Sequence, residues 1–182
     1  MTKLFMVRHG QAEAGFDVAD PGLSELGRSQ AENVARELEL VGPIAILTSP
    51  LRRTRETSLP LSRIWMKEPL IENAIAEIPT PPRYNVNDRT PWLRQFMAGS
   101  WTGAEPMLTQ WRSAVLSRLI SIKEDTVLFS HFIAINVAVG SACGDERVVA
   151  FSPANCSVTK LEVVHERLKL VERGSEAVTR VN

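Results

Sequence analysis

Apolar residues come in short runs separated by polar, glycine and proline breaks. The first run, LFMV at residues 4–7, lies in a segment of strand length that ends at Arg8, and residues 44–48 and 126–130 repeat the pattern. Between the first two runs, residues 24–40 carry helical spacing with Leu26, Val34 and Leu38 expected inward, and Gly42 and Pro43 stop the helix. Ser49 and Pro50 suit a cap and first turn for a second helix, expected to reach about residue 64 with an interruption at Pro60. Residues 70–75 suit a further strand. From 78 to 103 the periodicity dissolves into prolines, asparagines and isolated aromatics, which predicts a long functional loop. Helical spacing returns at 105–122 through Leu108, Trp111, Val115, Leu119 and Ile122, with Thr102 and Glu105 placed for a capping box. A strand at 126–130 leads through His131 into an apolar helix ending near Ala142, and residues 157–164 and 167–172 alternate like a hairpin. Strands alternating with helices predict an α/β fold: a single-domain three-layer sandwich, its mainly parallel sheet covered by helices on both faces. One domain over 1–182 is expected, with a loop-rich insertion at about 78–103.

Composition narrows the partners. The 182 residues hold 21 basic and 21 acidic side chains, so the formal net charge is zero and no global field draws nucleic acid or an anionic membrane. Any anion site has to be built locally. A strand that begins straight after Lys3 leaves no room for a signal peptide, and no apolar run approaches the ~20 residues of a membrane helix. The expectation is a cytoplasmic protein. Cys143 and Cys156 suit buried thiols in a reducing compartment, without a chemical role. His9, His131 and His165 are the only histidines, and no two share a metal-helix spacing, so neither a metal nor another cofactor is expected.

In an open α/β sheet, sites form beyond the carboxyl ends of the strands. The first strand delivers Arg8, His9 and Gly10 there, the second Ser49 and, one turn on, Arg53, and a later strand Ser130 and His131. An arginine grips phosphate through two N–H groups, an imidazole attacks phosphorus or passes a proton, and helix amino ends add positive partial charge. The common ligand is most simply a phosphate. Arg52 and Arg55 read instead as a solvated helix face, with Arg52 spaced to pair with Glu56.

Four ordered blocks carry a family resemblance: VRHGQ at 7–11, LSELGRSQA at 23–31, TSPLRRTRETS at 48–58 and VLFSHF at 127–132. With them the chain resembles the histidine phosphatase superfamily, which includes the cofactor-dependent phosphoglycerate mutases, and in particular its compact phosphatase branch. The resemblance implies a phosphoglycerate mutase-like fold, with His9 as a nucleophile that forms a phosphohistidine. It also implies that Arg8, Arg53 and His131 bind the phosphoryl group. It places a general acid after the third strand, where Glu77 matches best and Glu72 and Asp88 are runners-up. Two departures stand out. Ile78, Pro79, Thr80 and Pro81 replace the aromatic-glycine that commonly follows the acid, and Gly15 stands where mutases carry a phosphate-binding asparagine, which leaves Gln11 as a substitute contact.

The expected activity is therefore metal-independent hydrolysis of a small phosphomonoester. Alternatives are a protein phosphohistidine phosphatase, a phosphoglycerate mutase-type phosphotransferase, a phosphate-recognising binding module without catalysis, and a metal hydrolase using His9 and His131. Arg83, Tyr84, Arg89 and Trp92 are expected on the substrate side. Mutases of this group are longer, with segments that cover a bisphosphate, so the shorter chain favours access of water. No sequence feature fixes the physiological substrate or the oligomeric state.

Overall fold

Along the first strand, β1 (Thr2–Arg8), Leu4 and Met6 enter one apolar core while Phe5 and Val7 enter another. A strand buried on both faces has to lie inside a sheet covered on both sides. The computed structural model, which describes residues 1–13 and 20–177, has that arrangement. Gly15 lies outside the described residues. The sheet has six strands in the order β3-β2-β4-β1-β5-β6, with β2 at Ala45–Thr48, β3 at Leu70–Ile71, β4 at Thr126–Ser130, β5 at Val158–Val164 and β6 at Arg167–Glu172. β1 to β4 run parallel, and β5 is antiparallel to its neighbours β1 and β6. His165 and Glu166, both at positive φ (48° and 59°), make the tight turn between β5 and β6.

Helices α1 (Glu25–Glu39) and α2 (Arg52–Trp65) supply Ala31, Val34, Leu38, Leu61 and Trp65 to the core that holds Phe5 and Val7. Helices α4 (Pro106–Ser121) and α5 (Phe132–Cys143) cover the opposite face with Leu108, Val115, Leu119, Ile133 and Val137. Among the described residues no helix is long and apolar enough to cross a membrane.

Several local expectations are corrected. Leu26 is 54% exposed, because the inward stripe of α1 runs through Gly27, Ala31, Val34, Ala35 and Leu38. Helix α2 begins after Leu51, two residues later than the Ser49 cap implied, with the Ser49 hydroxyl shared between the Leu51 amide and His131, and it continues through Pro60. The strand at 70–75 is only two residues long before a 3-10 turn at Asn73–Ile75. Glu105 makes no side-chain cap and pairs with Arg83 at 2.7 Å. Cys143 is exposed; only Cys156 is buried, and burial pushes its thiol up to about 12. The largest difference lies in the segment expected as loop, where α3 (Val86–Met97) forms a 12-residue helix. The Asn85 side chain accepts the amides of Asn87 and Asp88, and Trp92 is buried against Tyr84 and Phe96, which outweighs the bond lost at Pro91.

The first turn of α1 meets the end of β1 at two glycines. A Cβ on Gly27 would lie 2.0 Å from the Gln11 carbonyl oxygen, and one on Gly10 would lie 2.6 Å from the Gly27 carbonyl oxygen. Backbone stands on both sides of each contact, so neither can yield without moving the loop that bears His9. We expect Gly27→Ala to cost about 3 kcal/mol of stability, the upper end of the usual overpacking range, measured by denaturant unfolding.

Candidate active site

The parallel strands β1, β2 and β4 end on one edge of the sheet. The His9 amide donates to the Ser130 carbonyl at 3.0 Å and the Ser49 amide to the Phe129 carbonyl at 3.0 Å, so the ladders continue into the residues that follow each strand. His9, Ser49 and His131 are thereby set side by side. The rings of His9 and His131 have centroids 5.3 Å apart.

Arg53, in the first turn of α2, lies between them. Its Nε donates to His9 Nε2 at 3.2 Å, and its Nη2 donates to His131 Nδ1 at 3.2 Å and reaches Glu77 Oε2 at 3.4 Å. Both histidines and Arg53 are buried, and the Glu77 side chain is 18% exposed. Glu77 Oε1 accepts the Ile78 amide at 3.2 Å, and Oε2 stands 3.6 Å from His131 Nδ1.

The tautomer of His9 follows from its partners. Nδ1 lies 2.7 Å from the Gly10 carbonyl oxygen, which can only accept, while Nε2 faces the Arg53 guanidinium, which can only donate. The proton therefore sits on Nδ1 and the lone pair on Nε2. Neutrality is enforced as well: burial first, then His131, Arg53 and Arg8, hold the imidazole well below its ordinary value of 6.5. For His131 the causes are burial, then Arg53, Arg8 and Arg89.

These shifts carry a sign. Above about pH 6.5 both histidines are neutral whether the chain is folded or not, and contribute nothing to the pH dependence. Below it the unfolded chain takes up protons that the folded chain refuses, so stability falls as pH falls. We expect wild type to lose stability from pH 6.5 to 5 more steeply than His9→Ala, by up to about 1.4 kcal/mol per pH unit for the histidine removed. Denaturant midpoints across that range check this.

Arg8 is half-buried, lies 5.0 Å over the Phe132 ring, and donates from Nη1 to the Pro153 carbonyl at 2.7 Å. Its Nε is buried without a partner. A half-buried guanidinium with an unmet buried donor fits an anion. Gln11 is exposed, and its carboxamide oxygen accepts from Ser24 Oγ at 2.9 Å, tying it to the cap of α1. The two other candidate acids stand differently from Glu77. Glu72 caps the 3-10 turn through Oε1 and pairs with Arg118 through Oε2, and Asp88 is exposed in the first turn of α3. Arg52 is exposed and pairs with Glu56 at 2.6 Å, the solvated face expected of it. On the substrate side, Arg89 donates to Thr80 Oγ1 at 2.9 Å, whereas Arg83 is held over Tyr84 and by Glu105. Trp92 is buried between aromatic neighbours, so its ring serves the core.

Four supporting residues were not singled out from sequence. Thr57 Oγ1 accepts the Gly10 amide at 3.0 Å and donates to the Arg53 carbonyl at 2.6 Å, tying the His9 loop to the Arg53 turn. Gln30 accepts the Gln11 amide at 2.8 Å, Asn155 donates to the His9 carbonyl at 2.8 Å, and Asp20 takes the Arg52 amide on both oxygens at 3.0 Å. Gln30 stands inside the second sequence block and Thr57 inside the third, which was the only available signal. Among the described residues no group of three or more His, Cys, Asp or Glu is arranged to hold a metal ion.

A neutral imidazole whose lone pair faces a guanidinium, an arginine spanning two histidines and an adjacent carboxylate make an arrangement suited to phosphoryl transfer on an α/β sheet edge. The chain belongs to the histidine phosphatase superfamily (branch 1), whose family model matches residues 4–176. Among curated relatives, the "Probable phosphoglycerate mutase GpmB" of Photorhabdus laumondii is 26% identical over 91% of this chain and 86% of its own length. "Phosphoserine phosphatase 1" of Hydrogenobacter thermophilus is 37% identical, over 43% of this chain and 39% of its own. Among solved structures, a mycobacterial glucosyl-3-phosphoglycerate phosphatase with VO3 superposes with a TM-score of 0.71 at 24% identity, covering 97% of this chain and 100% of that one. The phosphoglycerate mutase-like fold is thus established, and the family supports phosphatase activity in general terms.

Proposed function

We propose that this protein hydrolyses a phosphomonoester through a covalent phosphohistidine on His9, and that the chain 1–182 is one histidine phosphatase domain with residues 78–103 beside its site. The observation that carries the proposal is the tautomer of His9: Nδ1–H is held by Gly10 at 2.7 Å, which leaves the lone pair on Nε2, where it accepts from Arg53 until a phosphoryl group takes that place. In the first step the Nε2 lone pair bonds to phosphorus, the phosphorus–oxygen bond of the ester breaks, and Glu77 delivers a proton to the leaving oxygen. In the second, water attacks the phosphohistidine, Glu77 takes its proton, and the phosphorus–nitrogen bond returns its pair to Nε2. Arg8, Arg53 and His131 hold the phosphoryl oxygens throughout, Gln11 adds an outer contact, and the step needs no metal.

Leaving-group dependence tests the role of Glu77. An alkyl alkoxide needs a proton and a nitrophenolate hardly does, so Glu77→Gln should slow an alkyl phosphate by about 10²–10³-fold and p-nitrophenyl phosphate far less. Equal losses on both would remove Glu77 as the acid. Intact turnover of a phosphohistidine substrate by the same variant would favour the protein phosphohistidine phosphatase reading, because an imidazole leaves readily. The mutase name of one relative supports a second reading, in which phosphate passes between hydroxyls without release. A time course of inorganic phosphate against transferred phosphate separates the two.

A further inference from the structure

Ser49 is fully buried at the end of β2, and its hydroxyl lies 2.8 Å from His131 Nε2. Its backbone is fixed by the Phe129 carbonyl on one side and by Thr54 Oγ1, which donates to the Ser49 carbonyl at 3.0 Å, on the other. One lone pair of the hydroxyl is taken by the Leu51 amide at 3.3 Å. The remaining lone pair and the hydroxyl proton are what Ser49 offers to the imidazole.

Without ligand, Arg53 Nη2 donates to His131 Nδ1, so a neutral ring carries its proton on Nε2 and gives it to Ser49. That tautomer has nothing to donate to a phosphoryl oxygen, because its only N–H points away from the centre. Once a phosphoryl group draws the Arg53 donors to its own oxygens, the useful tautomer is the other one, with the proton on Nδ1. Nε2 would then be a buried acceptor in need of a donor. A hydroxyl meets both demands by rotating: it accepts from Nε2–H before binding and donates to the bare Nε2 afterwards.

We propose that Ser49 is a positioning residue whose rotating hydroxyl lets buried, neutral His131 exchange tautomers, so that Nδ1–H becomes a donor to the transferring phosphoryl group. The proposal rests on the phosphoryl-transfer reading of the site. One proton leaves Nε2 and another arrives at Nδ1, both by exchange with water, so the net charge of the pair is unchanged.

The test is nitrogen NMR of the full chain with 15N-labelled histidine, made tractable because there are only three histidines. Vanadate, a phosphoryl mimic, is the probe. In wild type the His131 proton is expected on Nε2 without vanadate and on Nδ1 at saturation. Ser49→Ala should leave the tautomer unmoved by vanadate and slow phosphoenzyme formation by about 10- to 100-fold, the effect of an unpaired buried polar atom. Ser49→Thr, which keeps the hydroxyl, should restore the vanadate-induced shift. The proposal is overturned if the His131 proton remains on Nε2 in vanadate-saturated wild type, or if Ser49→Ala turns over like wild type. The wild-type titration decides the matter even if Ser49→Ala does not fold. It also reads His131 without turnover, so its failure is distinct from failure of the phosphatase reading, which His9→Ala kinetics would reveal.

Discussion

Replacing His9 with alanine is expected to lower kcat by about 10⁴-fold or more, because a covalent route loses its first bond-forming atom and its neighbours cannot act without it. The ring is buried, and its proton is held on Nδ1 by the Gly10 carbonyl, which leaves the lone pair on Nε2 facing the Arg53 guanidinium. The variant should still bind phosphate or vanadate, because Arg8, Arg53 and His131 remain. Steady-state kinetics on a phosphomonoester panel, paired with vanadate binding by calorimetry, separates loss of chemistry from loss of the pocket. Turnover in His9→Ala equal to wild type on every substrate would end the covalent account.

Arg53→Ala should be the next most damaging change, lowering kcat/KM by about 10³-fold, the scale seen when a preorganised donor to developing charge is removed. One guanidinium hydrogen-bonds His9, His131 and Glu77 at once. Lysine should not restore it, because a single ammonium cannot span two imidazoles in fixed directions. A second consequence follows from charge. Arg53 is among the causes that hold both histidines below 6.5, so without it their pKa values rise and the neutral ring is lost at higher pH. The acidic limb of the kcat/KM profile of Arg53→Ala should therefore move upward in pH relative to wild type. A loss of activity with an unmoved limb would place Arg53 outside the centre.

Much of the fold is legible along the chain because buried strands announce themselves. The runs around Phe5, Ile46 and Phe129 are apolar on both faces, which only a doubly covered sheet explains, and the alternation at 157–172 becomes the β5–β6 hairpin. The residues that open the site follow from the same logic, since parallel strands bring their carboxyl ends together. Helix α3 was hidden by its own composition: Pro91 and six polar residues mask a periodicity that only the burial of Trp92 supplies. Glu77 sits after a 3-10 turn with no repeating pattern, so its approach to Arg53 depends on tertiary placement. The same holds for Gly10 and Gly27. Each is a motif letter in sequence, and the backbone contact that forbids a side chain exists only once α1 lies across the end of β1.

The most direct test of the account is to find the bond it proposes. Wild-type protein mixed with a 32P-labelled phosphomonoester, quenched within milliseconds in alkaline denaturant and digested, should carry acid-labile label on the peptide containing His9, and phosphorus NMR should assign it to Nε2. Phosphate release without any such adduct, or label on a different side chain, would contradict a covalent phosphohistidine on His9.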